Sequence, residues 1–145
     1  MNQTLVNNIN KKVKSDDILY ILGDFCFGNI DKVKYWRDQL DCKTIHFIQG
    51  NHDSCQDTQY RQVFQSVNKI LTINVDGQKV IMCHYPLLCW DSRFYGSWHL
   101  FGHCHGNMNN FINEHLYDQK MIDVGIDCGN YFPYSFDDLK KYFVF

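Results

Sequence analysis

No block of like charge in this sequence runs longer than a few positions, and 14 basic residues nearly balance 16 acidic ones. Neither a nucleic-acid surface nor a polybasic membrane patch is indicated by such a balance. No apolar stretch approaches the ~18 residues a membrane span requires, and the opening segment MNQTLVNNINKKVK has no signal-peptide apolar region. There is no CxxC pair. The seven cysteines are odd in number and irregular in spacing, which argues against a disulfide framework and against a closed cysteine-ligated zinc site. The expectation is a cytoplasmic protein in a reducing compartment. Repeats, linkers and low-complexity segments are also lacking. At 145 residues and 45 % hydrophobic, the chain can bury one core, and a single domain over 1–145 is expected.

The apolar periodicity alternates between helix and strand. Leu5, Ile9 and Val13 recur at helical spacing. Ile18 to Leu22 reads as a buried strand, Asp31 to Leu40 as a helix carrying Val33, Trp36 and Leu40, and Thr44 to Ile48 as a second strand. Strand, helix and strand in this order predict a parallel βαβ unit. Tyr60 to Val67 is expected to be a short helix. Lys69 to Val75 and Lys79 to Cys83 are β-rich and meet at Asp76-Gly77, the dipeptide of tight hairpins. Trp98 to Phe101 and Met121 to Ile126 are two further expected strands, with loops or short helices at Leu87 to Gly96 and Gly106 to Gln119. The class is α/β, with mixed pairing.

One pattern recurs four times: a short apolar run, a tight break, then a side chain that binds metals. It is written ILYILGD, IHFIQGNHD, VIMCHYP and WHLFGHCHG. Ligand sites of α/β sheets gather at the carboxyl ends of strands, where loops converge on a rigid base. Asp24, Asn51, His84, His103 and His105 all fall there. A carboxylate, an amide oxygen and imidazoles make a nitrogen and oxygen donor set, which suits Mn, Fe, Zn or Ni better than soft-metal centres. Each residue also has a plainer reading. Asp24 and Asn51 could be turn residues, and His84 could be a core histidine at a strand end.

Gly23-Asp24, Gly50-Asn51-His52-Asp53, His84 closing a strand, and Gly102-His103-Cys104-His105, in this order, resemble the motifs of calcineurin-like metallophosphoesterases. The resemblance spans about residues 18 to 127. It implies a four-layer αββα sandwich of mixed sheets, a dinuclear centre with Mn favoured, and hydrolysis of a phosphate monoester or diester such as a nucleotide. By resemblance Asp24 bridges two metals, Asn51, His84 and His103 complete one site, and His105 belongs to the other. His52 would assist the leaving group, oriented by Asp53. The family opens with a strand ending in Asp-x-His; this sequence has no Asp-x-His, and no histidine precedes His46. The expectation is therefore a sandwich with its first strand missing, unless the reading frame starts upstream. One metal would then be held firmly and the second poorly, with impaired turnover and an exposed sheet edge open to homo-oligomerisation. The alternative is a catalytically weak binding or scaffold protein on the same fold.

Remaining polar and aromatic residues divide by context. His46 and His99 lie inside apolar runs and read as structural, His115 as a surface residue. The Cys104 side chain should point away from its neighbouring histidines. Arg93 could hold a phosphate at a substrate mouth lined by Trp90, Tyr95 and Trp98, although packing is the expected role of both tryptophans.

Overall fold

A computed structural model describes residues 1–116 and 119–143. Helix α1 (Gln3–Lys12) begins at Asn2, whose side chain accepts from the Leu5 amide at 3.1 Å. Strand β1 (Ile18–Ile21), helix α2 (Ile30–Arg37) and strand β2 (Thr44–Ile48) form the parallel βαβ unit. A short helix α3 (Asp57–Tyr60) leads into β3 (Ser66–Asn68), which pairs parallel with β2 and completes a sheet of order β1-β2-β3. The helix expected over Tyr60 to Val67 is thus corrected: it ends at Tyr60, and Ser66 to Asn68 is a strand. Its three residues, Ser66, Val67 and Asn68, alternate over too short a stretch to mark a strand in the sequence. Pairing with β2 alone draws them into β geometry.

The second sheet has the order β4-β5-β6-β7, from Ile70–Val75, Gln78–Cys83, Trp98–Phe101 and Met121–Asp123. Strands β4 and β5 form the hairpin, and Asp76 and Gly77 both take positive φ, 51° and 84°, as that turn requires. The other two pairings are parallel, so the antiparallel character stops at the hairpin. The last strand ends at Asp123 and does not reach Ile126, because the Asp123 carboxylate accepts from the amides of Gly106 and Gly125 and turns the chain. The loop regions contain a 3-10 turn at Arg93–Tyr95 and helix α4 (Asn109–His115); residues 117 and 118 of the Gly106 to Gln119 stretch lie outside the described residues. Helix α5 (Phe136–Phe143) has no counterpart in the sequence reading. Its signals were Ser135 and Asp138, which cap each other, and apolar Phe136, Leu139 and Phe143 on one face.

Period-two alternation sends the buried apolar strand residues to three apolar clusters. Leu19, Ile45 and Phe47 face the helices, with Val6, Ile9 and Val33. The opposite sides, with Tyr20, Leu22 and Ile48, meet Val80, Met82, Trp98, Leu100 and Ile122 of the second sheet. The two sheets therefore share a core. On the far side Ile81, Phe101 and Met121 pack with Trp90 and Ile112. Both tryptophans are buried, as their packing role anticipated: Trp98 stacks near Phe143, at 4.8 Å between ring centroids. His99 is buried, and its ring bonds to the Ile81 carbonyl and the Leu87 amide; burial pushes its pKa down. His46 pairs with the Ser66 hydroxyl at 2.7 Å and stacks on Tyr20. The His115 side chain is exposed. No helix among the described residues is long and apolar enough to cross a membrane.

Candidate metal centre

The carboxyl ends of β1, β2, β5, β6 and β7 deliver their following loops to one end of the paired sheets. Asp24, His84 and His103 each offer a ligand atom there, and these atoms all lie within 4.8 Å of one another. The Nε2 atom of His84 is 2.9 Å from Asn51 Oδ1, 3.2 Å from His103 Nδ1 and 3.5 Å from Asp24 Oδ2. His84 is buried, whereas Asn51 and His103 are exposed, so the cluster has a rigid floor and an open mouth. Such openness leaves room for an exogenous ligand.

The tautomer of His84 decides what the cluster can do. Its Nδ1 donates to the Leu22 carbonyl at 2.7 Å, because a carbonyl oxygen can only accept. In the neutral ring Nε2 then carries a lone pair, and it faces the oxygens of Asn51 and Asp24. Two oxygens and a nitrogen lone pair that converge on one point are satisfied by a cation among them, or by a proton from His103 Nδ1 or on Nε2 itself. The chemistry of the donor set therefore fits a divalent metal.

Backbone strain is present at the same place. Asp24, His103 and His105 all adopt left-handed φ values, 53°, 66° and 51°. Each such residue costs roughly 1–2 kcal/mol in an ordinary setting, and strained residues persist where surrounding contacts hold them. The holding contacts are visible. Asp24 Oδ1 accepts from the His52 amide, and Asp53 accepts from the amides of Asp24, Phe25 and Gly50. A Cβ at Gly50 would lie 2.8 Å from both the Asp24 nitrogen and His84 Cε1, so only glycine permits this approach.

Asp53 consequently takes a different role from the one the sequence suggested. Its carboxylate accepts from three loop amides, and no described hydrogen bond links it to the His52 ring. Burial pushes its pKa up, against the opposing pull of those amides. The exposed His52 ring instead meets Phe27 edge-on, at 5.3 Å. His105 stands outside the three-residue group: its Nδ1 lies 2.6 Å from Asp127 Oδ2. The hydrogen bond that His105 donates to the Asp127 carboxylate, reinforced by that group's charge, raises the His105 pKa. Arg93 is not brought to the cluster. Its guanidinium donates to the Leu88 carbonyl and lies over the Trp90 and Phe94 rings, which corrects the phosphate-holding role. Cys104, as expected, packs toward the apolar cluster of Ile81 and Phe101.

Sequence reasoning passed over Asp123 and Asp127. They follow the same pattern as the other four segments, since MIDVGID is a short apolar run, a carboxylate and a glycine break. Asp123 is buried and fixes Gly106, immediately after His105, while Asp127 holds His105 itself.

No protein-family model matches this chain. The uncharacterized protein MJ1445 of Methanocaldococcus jannaschii is 34% identical over 146 residues, covering 97% of this chain and 74% of that protein. The crystal structure of a protein of unknown function from Aquifex aeolicus, AQ665, aligns with a TM-score of 0.76 over 96% of this chain and 83% of its own, at 21% identity. That likeness shows a shared fold. The chain belongs to the same family as the Methanocaldococcus jannaschii protein.

Proposed function

We propose that this protein is a metal-dependent phosphoesterase of the calcineurin-like type, with an αββα sandwich carrying the metal site at the carboxyl ends of its strands. The observation that carries the reading is the set of potential ligand atoms around His84 Nε2, from Asp24, Asn51 and His103, with the Asp24 and Gly50 loops pinned by Asp53. Asp24, Asn51, His84 and His103 would hold the ion, with Mn favoured among Mn, Fe, Zn and Ni. When bound, such an ion supplies Lewis acidity to a phosphoryl centre and its attacking water.

The chain's own groups account for the rest. Leu22 fixes the His84 tautomer, and Asp53 holds the Asp24 and Asn51 loops in register through backbone amides. His52 sits at the open mouth with its backbone tied to Asp24, where its ring can give a proton to a leaving oxygen. His105 could serve a second metal through Nε2, with its Nδ1 held 2.6 Å from Asp127 Oδ2 as an orienting partner. That His105 stands outside the group formed by Asp24, His84 and His103 favours a second reading, a one-metal protein that binds a phosphate ester and turns it over slowly.

The test is metal analysis and calorimetry on the purified protein, alongside hydrolysis of bis-p-nitrophenyl phosphate. Metal uptake that depends on Asp24 and His84, with metal-dependent hydrolysis, supports the enzyme. Uptake without hydrolysis selects the binding protein, and equal uptake in wild type and in Asp24→Asn with His84→Ala removes the site.

A further inference from the structure

Two large aromatic side chains stand exposed at the mouth of the metal cluster, and neither has a structural task that explains its exposure. In the segment following Asp24, Phe25 and Cys26 turn inward and are 4% and 6% exposed, while Phe27 turns outward and is 67% exposed. Its ring meets His52 edge-on with an interplanar angle of 64°, which leaves a face open. Tyr85 directly follows buried His84 and is 43% exposed. Its ring centroid lies 4.9 Å from those of both His84 and His103. One ring thus borders the proposed proton donor, and the other borders two proposed ligands.

Exposed aromatic area forgoes the hydrophobic stabilisation that burial would recover. Two such rings beside one polar cluster provide flat apolar surface within reach of anything anchored there. A phosphate anchored at the cluster and a planar group on those rings together describe a nucleotide. Aromatic surfaces take any nucleobase, because every base presents a π face.

We infer that Phe27 and Tyr85 form the subsite for the nucleobase of a nucleotide substrate. The inference rests on the phosphoesterase reading and narrows its substrate class. Arg93 has no part in it, since its guanidinium is engaged within its own loop.

The test compares affinities in the full chain loaded with Mn²⁺, using calorimetry with AMP, UMP, ribose 5-phosphate and inorganic phosphate. The expected result is that AMP and UMP bind roughly tenfold more tightly than ribose 5-phosphate, in the range that stacking on an aromatic side chain provides. Phe27→Ala and Tyr85→Leu should each shrink that ratio to about twofold or less at unchanged Mn²⁺ content. Phe27→Ala is the decisive arm, because the described ring contact of Phe27 is with His52 and not with a proposed ligand. Equal affinities for nucleotides and ribose 5-phosphate in the native protein overturn the subsite while leaving the phosphoesterase reading standing. A ratio that survives Phe27→Ala also overturns it. Binding of none of the four probes, inorganic phosphate included, overturns the phosphoesterase reading and the subsite with it.

Discussion

The imidazole of His84 donates through Nδ1 to the main-chain carbonyl of Leu22 at 2.7 Å. This bond joins the end of β5 to the end of β1, so it ties one sheet to the other at the point where the ligands meet. It also leaves Nε2 free to accept a metal. A histidine that merely filled a strand end would have no need of three further polar neighbours within 3.5 Å of its other nitrogen.

Replacement of His84 by Ala should therefore abolish tight metal binding. A loss at least as large as the roughly 10–100-fold seen when only a ligand's supporting partner is removed is expected. Asp24→Asn should weaken binding as well, since it removes the charge. Both are checked by metal analysis and calorimetry, with circular dichroism to establish that the fold persists. Undiminished binding in both variants would exclude the cluster.

His52 lies outside the group of potential ligands, and its ring is exposed. His52→Gln should keep full metal content and slow phosphodiester hydrolysis by ~10²-fold or more, as loss of a general acid does. A variant that lost its metal would show His52 to be a ligand, and an unchanged rate would remove it from the chemistry.

The close packing at Gly50 predicts a sharp intolerance. A Cβ there would lie 2.8 Å from the Asp24 nitrogen and from His84 Cε1, both parts of the rigid floor. Gly50→Ala should lower stability by about 1–3 kcal/mol, the usual cost of overpacking, and reduce metal affinity at the same time. Chemical denaturation and calorimetry measure the two effects. A wild-type metal affinity in this variant would mean that the loop is not held as described.

In metal-free protein His105 should titrate above the ordinary histidine value of ~6.5, because the Asp127 carboxylate accepts from its ring and stabilises the charged form. The folded pKa is raised, so the pair's contribution to stability is fully present below ~6.5 and fades as pH rises through the folded value. Asp127→Asn should bring the pKa back down. NMR titration of the imidazole resonances provides the measurement, and an identical midpoint in wild type and variant would contradict the pairing.

Asp138 accepts from the Ser135 amide and hydroxyl at the start of α5 and from Lys12 at the end of α1. The Lys12 hydrogen bond, followed by those from Ser135, pulls its pKa well below the usual carboxylate range. A depressed folded pKa means that this stabilisation is present above ~3.9 and is lost as pH falls toward the folded value. Asp138→Asn should cost about 1 kcal/mol at neutral pH, typical of a lost cap, with the difference from wild type narrowing in acid. Urea denaturation at pH 7 and pH 3 tests both points, and a constant difference would assign the effect to packing.

The strand-to-ligand order was legible in the sequence because it is written locally. Each of Asp24, Asn51, His84 and His103 follows an apolar run and sits beside a glycine or at the strand end itself, and period-two alternation told which strand faces were buried. Strand β3 and the register of both sheets were decided only by tertiary pairing, since a three-residue strand has too little pattern of its own to declare itself. Side-chain partners were decided there too. Asp53 turned to the amides of Asp24, Phe25 and Gly50, His105 to Asp127, and Arg93 to Leu88 and its own aromatic neighbours. Residue type fixes what a side chain can donate, accept or bind. The folded backbone fixes which partner comes within hydrogen-bonding distance, and at the site His84 and Leu22 are partners 62 residues apart.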